Sequence, residues 1–147
     1  MNYLHSFYFH GTKNLLYIGS DAIDFLTWCS NKIDNGTTLH TNLSHEVIIR
    51  HPVEGVPDAV NKSMNGLFFK TTIQYVADGA MKSYTAWINP DNVLSTYHVQ
   101  PDCIEVFFKS GLRLLVKSTI SDFVKNMLAH NMDYKERRKT AYGKEKK

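Results

Sequence analysis

Histidine and cysteine are the side chains of this chain best able to bind a metal or attack a substrate, and their spacing argues against both. His40, His45 and His51 form the one local cluster. Ligands sharing a strand face are separated by an even number of positions, and ligands sharing a helix face by three or four. Separations of five and six fit neither cleanly, and the stretch spans loop as well as strand, so no metal site is expected. Cys29 and Cys103 stand outside any CxxC pair, and each falls in an apolar pattern, as core thiols rather than nucleophiles do. The motifs GxxxxGK[ST], GxGxxG, GxSxG and HExxH are missing. No acid, base and nucleophile stand out as a set, so the chain reads as a non-enzyme with no catalytic residue and no cofactor.

What remains is binding chemistry. Residues 132–147, "MDYKERRKTAYGKEKK", hold seven Lys/Arg against three Asp/Glu, leaving ten against eleven in residues 1–131. The reading is a nearly neutral single domain over 1–131 and a basic, flexible tail over 132–147. Lys135, Arg137, Arg138 and Lys139 can neutralise phosphates. Tyr134 and Tyr142 suit an anchor in a protein pocket as well as stacking on bases. Basic ends of this kind meet nucleic acid or acidic partners, or are simply solvated, and their removal is expected to leave the fold intact. A second candidate lies in the middle of the chain. Lys70 and Trp87 should face each other on a sheet's polar side, with Tyr75 and Lys82 nearby on the other. A cation beside an aromatic on an open sheet can hold a base or a phosphate, although an ordinary cross-strand pair accounts for them equally.

The elements that must position these residues can be read from periodicity. Leu67 to Val76 and Ala80 to Ile88 flank Asp78-Gly79, which suits a two-residue type I′ hairpin. That register sets Tyr75 against Lys82, Ile73 against Tyr84, Lys70 against Trp87 and Phe69 against Ile88. Pro90 turns the chain, and a strand follows from Val93 to Val99. Next, "VFFKSGLRLLVKSTISDFVKNML" contains a hairpin and a helix start. A three-residue loop, Lys109-Ser110-Gly111, pairs Phe108 with Leu112, Val106 with Leu114 and Ile104 with Val116, all on one face. A one-residue slip mixes the faces. Gly111 then sits where a bulged turn needs positive φ. Thr119, three residues before Asp122, is a helix cap. Ile120, Phe123, Val124, Met127 and Leu128 form a core-facing helical stripe.

Toward the N-terminus, strands are expected around Phe7–Phe9, Leu15–Ile18 and Val47–Ile49, with one helical turn after Pro57. Between them Ala22, Phe25, Leu26 and Cys29 recur at helical spacing, so a helix is expected from Ser20 or Asp21. A shift of 98 positions aligns Phe9, Leu16, Ser20, Asp24 and Phe25 with Phe107, Leu114, Ser118, Asp122 and Phe123. Such identities are what a duplicated hairpin–helix unit would leave, although shared pattern produces them nearly as well. The fold class is α+β: an antiparallel meander of six to eight strands with two amphipathic helices packed on one face. At 147 residues and 43% apolar content the chain can bury a core. It has no run of about 20 apolar residues and no signal-peptide pattern, so a cytoplasmic protein with no membrane partner is expected.

Residues 86–127 resemble a module found in small flagellar FlbD-type proteins and near the C-terminus of the competence transcription factor family (ComK-like). The shared form is W-I, a Val five positions after the Ile, a variable turn, then V-x-F-x-x-G and an apolar strand. Trp87, Ile88, Val93, Glu105, Val106, Phe108, Gly111 and Ser118 carry it. The family's cysteine-containing central segment has no counterpart. The resemblance implies a bacterial or phage regulator that binds AT-rich DNA, partly through the minor groove. Two functions follow as expectations. One is a non-enzymatic DNA-binding regulator using Lys135, Arg137, Arg138 and Lys139, with Lys70 and Trp87 as an accessory platform. The alternative is a protein-binding inhibitor or adaptor acting on a host protein, as phages and mobile elements use. Homo-oligomerisation is open under either.

Overall fold

A computed structural model of the chain describes residues 4–9, 15–28, 36–42, 46–50 and 57–145. Ten strands pair into one antiparallel sheet: β1 (Leu4–Phe9), β2 (Leu15–Gly19), β3 (Ile23–Trp28), β4 (Thr37–Thr41), β5 (Glu46–Arg50), β6 (Phe69–Ala77), β7 (Ala80–Ile88), β8 (Val93–Gln100), β9 (Cys103–Phe108) and β10 (Arg113–Val116). Helix α1 spans Pro57–Ser63 and α2 spans Ile120–Glu145. The spatial order is β2-β1-β5-β4-β3-β7-β6-β10-β9-β8. Two antiparallel sets, β1–β5 and β6–β10, are therefore joined along a single seam, where β3 meets β7 through Phe25–Ile88, Leu26–Trp87 and Thr27–Ala86.

The two hairpins of the C-terminal half form in the register that their side chains demand. Lys70 faces Trp87, Ile73 faces Tyr84, and both Asp78 (φ 53°) and Gly79 (φ 75°) are left-handed, as a type I′ turn requires. Leu114 faces Val106 and Val116 faces Ile104, while the Phe108 amide donates to the Leu112 carbonyl at 2.9 Å and Gly111 takes φ 96°. Only the pairing that puts the apolar set on one face buries it, which is why these registers are unique. Thr119 caps α2, its hydroxyl accepting from the Asp122 amide at 3.1 Å.

The α+β class stands, and the strand count is higher than the six to eight expected because two stretches are strands that the pattern did not reveal. The helix expected from Ser20 is a short 3₁₀ turn at Ser20–Ala22 followed by β3. The strand is covered on both faces, with Ile23, Asp24, Phe25 and Leu26 all buried. A doubly covered strand shows no alternation, and in so short an apolar run periods of 2 and 3.6 cannot be separated. The other new strand, β4, fills the place between β3 and β5. The internal likeness at a shift of 98 is one of sequence: Leu16 faces Phe7 in the first hairpin, whereas Leu114 faces Val106, the counterpart of Tyr8, in the second, and the third elements differ outright. Asp24 and Phe25 lie in a strand, whereas Asp122 and Phe123 lie in a helix.

Side chains on the two faces of the seam belong to two cores. Leu26 and Trp87 join Phe7, Ile23, Leu39, Ile49, Val60, Met64 and Phe68. Phe25 and Ile88 join Ile73, Ile104, Val106, Phe108, Val116 and Phe123. Of the two helices expected on one face, the one from Ser20 is absent: α1 contributes Val60 to the first core, and the opening turns of α2 contribute Phe123 to the second. Beyond them α2 continues far enough to deliver Tyr134 to the first core. Residues 132–145 are accordingly helix rather than tail, and a boundary at 131 falls inside α2.

A buried polar latch closes the seam. The Asp24 carboxylate accepts from Ser110 Oγ at 2.6 Å and from Asn92 Nδ2 at 3.1 Å. The Asn89 amide donates to the Asp24 carbonyl at 2.8 Å, and the Asn89 side chain donates to the Ile23 carbonyl at 3.0 Å. Both side-chain oxygens of a fully buried Asp are thereby engaged, as burial of polar atoms requires.

Candidate interaction surfaces

The Lys70–Trp87 pair forms as expected but not on an open face. Trp87 is only 2% exposed, being packed among the residues of the first core, and its indole N–H donates to Asp58 Oδ1 of α1 at 3.0 Å. Lys70 Nζ lies 5.5 Å from the indole centroid and 3.9 Å from Asp58 Oδ2. The helical turn after Pro57 brings α1 onto this face, and Val60 and Met64 seal it. A base cannot stack on Trp87 here. Lys70 keeps an exposed ammonium 3.9 Å from the Asp58 carboxylate, a solvent-exposed pair of small energetic weight.

The basic residues of the C-terminal segment are sorted by the helix. Arg137 turns back to the loop after α1, where its Nη2 donates to the Asn65 carbonyl at 3.4 Å. Two turns earlier, His130 Nε2 lies 2.9 Å from the Gly66 carbonyl. Tyr134, expected as an exposed anchor, is 8% exposed and belongs to the core. Arg138 lies on the same helix, with its side chain outside the described ones, as is that of Tyr142. Lys135 and Lys139 remain exposed. At 100° per residue they share an arc with Lys125, Leu128 and Met132. Leu128 belongs to this outer stripe, being 53% exposed, and not to the core stripe in which its spacing had placed it. It points well away from the direction shared by Phe123, Met127 and Tyr134.

A surface without a basic signature is the outer half of the β6–β7 hairpin. β10 pairs with β6 only at Ile73 and Gln74, and β3 pairs with β7 only from Ala86 to Ile88. Among the described residues, Tyr75–Ala77 and Ala80–Lys82 therefore extend as a two-stranded arm closed by the Asp78–Gly79 turn, about 10 Å long for three residues per strand at ~3.3 Å each, with Tyr84 at its base. One face pairs Val76 (66% exposed) with Met81 (56%). The other stacks Tyr75 on Tyr84 with centroids 4.4 Å apart, and the hydrogen bond between their hydroxyls helps push the Tyr75 phenol up to about 12. Lys82 reaches Asp78 at 3.9 Å, so the arm carries no free pair of cations.

Two groups bear on the chemistry considered from sequence. His40 stacks on Phe25 (centroids 3.9 Å apart), with Nε2 2.9 Å from Thr27 Oγ1 and Nδ1 3.5 Å from Glu46. Burial lowers its pKa from the ordinary value, and Glu46 opposes the shift. The ring is thus held as part of the sheet. His45, His51 and Cys29 lie outside the described residues, among which no three His, Cys, Asp or Glu gather as a metal-binding set. Cys103 is buried, and burial, followed by the nearby Asp102 charge, pushes its thiol up, away from the nucleophilic form. Among the described residues no helix is long and apolar enough to cross a membrane.

No family model matches the chain, and neither the curated proteins nor the solved structures contain a significant match to it. The likeness of residues 86–127 to the FlbD-type and ComK-like module rests on the motif residues themselves. Sequence reasoning placed the arm's strands and turn but missed its exposure. The signal available was the pairing of Val76 with Met81 on what should have been the polar face.

Proposed function

We propose that this protein is a non-enzymatic binding module that docks on another protein, as an inhibitor or adaptor, through the β6–β7 arm. The observation that carries this reading is the exposure of Val76 and Met81 on one side of a two-stranded ribbon and of the Tyr75–Tyr84 stack on the other. An isolated two-stranded ribbon is marginal in water, and rigid aromatics with adaptable Met are the side chains that anchor protein interfaces. The test is affinity capture from the source cells with three forms of the protein. A partner retained by the wild type and by Lys135→Glu, but lost with Val76→Asp/Met81→Asp, supports arm docking. Equal capture by all three removes the arm from the mechanism.

A second reading, DNA binding by a regulator of the ComK-like kind, is favoured by the Lys125, Lys135 and Lys139 stripe on α2. Contacts to phosphate from these three would give log K a slope against log salt of about −0.9 for each phosphate neutralised, up to roughly −2.7. A salt titration on AT-rich and GC-rich duplexes decides it: a slope that flattens in Lys135→Glu/Lys139→Glu supports DNA binding. Absence of binding at low salt and micromolar protein leaves the protein-docking reading alone. Trp87 has no part in either reading, and Arg137 has only its loop contact to lose.

A further inference from the structure

We infer that β8 is a pairing edge for a second copy of this chain, giving a two-fold dimer in which the sheet continues across the antiparallel β8–β8 contact. β8 is the last strand in the sheet order, with β9 on one side and, among the described residues, no strand on the other. Proteins blunt such edges with lysine, proline, inward-facing charge, very short strands or β-bulges. Along its eight residues, "VLSTYHVQ", β8 carries register shifts only toward its ends, at Val93/Ser95 and His98/Gln100, and no lysine, proline or carboxylate. The opposite edge, β2, has only five residues. Leu94, Tyr97 and Val99 of β8 are all exposed.

The occupant is set by charge and symmetry. No Lys, Arg, Asp or Glu occurs between Val93 and Gln100, so a charged partner segment finds nothing on the strand to pair with. A second β8 brings no like charges face to face, the main penalty on self-pairing. Register shifts at Val93/Ser95 and His98/Gln100 bracket a regular piece, Ser95–His98, and confine the contact to it and its flanks. A two-fold axis normal to the sheet keeps each face on its own side, so every residue must meet one of the same face. An axis through Tyr97 satisfies this within the regular piece, placing Tyr97 opposite its mate and Thr96 opposite His98. Each Tyr97 is already braced by Phe107 behind it, ring centroids 5.0 Å apart, edge to face. The two-fold then builds a run of four aromatic rings across the joint, a favourable cross-strand arrangement. The contact is small by the standards of stable interfaces, so the dimer is weak and concentration-dependent.

Sedimentation from about 1 to 500 µM tests this. The wild type should pass from monomer to dimer, and Tyr97→Lys/Val99→Lys should remain monomeric with an unchanged circular dichroism spectrum. Leu15→Lys, on the opposite edge, should dimerise like the wild type. Two measurements do not depend on the edge variant folding. Hydrogen exchange of the wild type should show β8 amides gaining protection at high concentration only. Tyr97→Cys should give an oxidised covalent dimer, because directly opposed strand residues sit about 4.5–5.5 Å apart at Cα, within disulfide reach. Ser95→Cys, displaced from its mate by four strand positions, should give no more covalent dimer than the wild type. A wild type that stays monomeric throughout, or a dimer that survives the double lysine change, overturns the proposal.

Discussion

Replacing Tyr134 by alanine asks whether the end of α2 belongs to the fold or is appended to it. Tyr134 is buried beside Val60, Met64 and Leu67, and its helix is tied to the α1 loop by His130 on the Gly66 carbonyl and Arg137 on the Asn65 carbonyl. A buried aromatic removes about 150–250 Å² from water. At ~25 cal/mol per Å² this gives roughly 4–6 kcal/mol as an upper bound, before allowing for a compact unfolded chain and the methyl that alanine retains. About 3 kcal/mol is a fair expectation, near the low end for aromatic truncations. With a urea m-value of about 2 kcal/mol/M, the unfolding midpoint should fall by roughly 1.5 M with the slope unchanged. Ending the chain after Met132 should cost at least as much, since it deletes the same side chain. Met132→Ala, on the exposed stripe, should stay within about 0.5 kcal/mol of the wild type. A loss under about 1 kcal/mol for Tyr134→Ala would refute the packing of α2 on the first core.

Phe123→Ala, which empties the contact with Phe69 in the second core, should lower stability by roughly 3–5 kcal/mol in the same denaturation assay. Gly111→Val should cost about 1–3 kcal/mol from backbone strain alone, because the added Cβ meets no atom within 4 Å while φ is 96°; an unchanged melting temperature would contradict the turn geometry. Asp24→Ala removes the acceptor of the Ser110 hydroxyl and one of the three acceptors of the Asn92 side-chain amide, and should cost roughly 1–3 kcal/mol in the same assay. His40 has its pKa lowered by burial, so the unfolded chain binds this proton more readily than the folded one. Its contribution is therefore complete above the ordinary value of 6.5 and is lost as pH falls through the depressed folded value. Between pH about 7.5 and 5.5 the melting temperature should fall less in His40→Gln than in the wild type, and parallel curves would contradict the assignment.

Local physics alone determined the hairpins of the C-terminal half. At Asp78-Gly79 and Ser110-Gly111 the turn residues and the side-chain alternation agree, and any other register exposes Ile73, Val106 or Val116. The cap at Thr119 and the buried stripe through Phe123 and Met127 were legible for the same reason: each signal lies within one helical turn. The tertiary structure decided what depends on coverage. β3 is a strand because neighbours bury both its faces, and its own residues carry no alternation from which to deduce that. Trp87 became a core residue, and Lys70 the neighbour of a carboxylate, only when α1 folded back across their face. Residues 132–145 read as a basic tail by composition, yet one tyrosine reaching a core formed more than 60 residues earlier makes them helix. The exposed arm and the open β8 edge arise where pairing stops, and where pairing stops depends on the lengths of strands distant in sequence. Periodicity reports which side of an element is apolar; whether anything comes to cover that side depends on the rest of the chain.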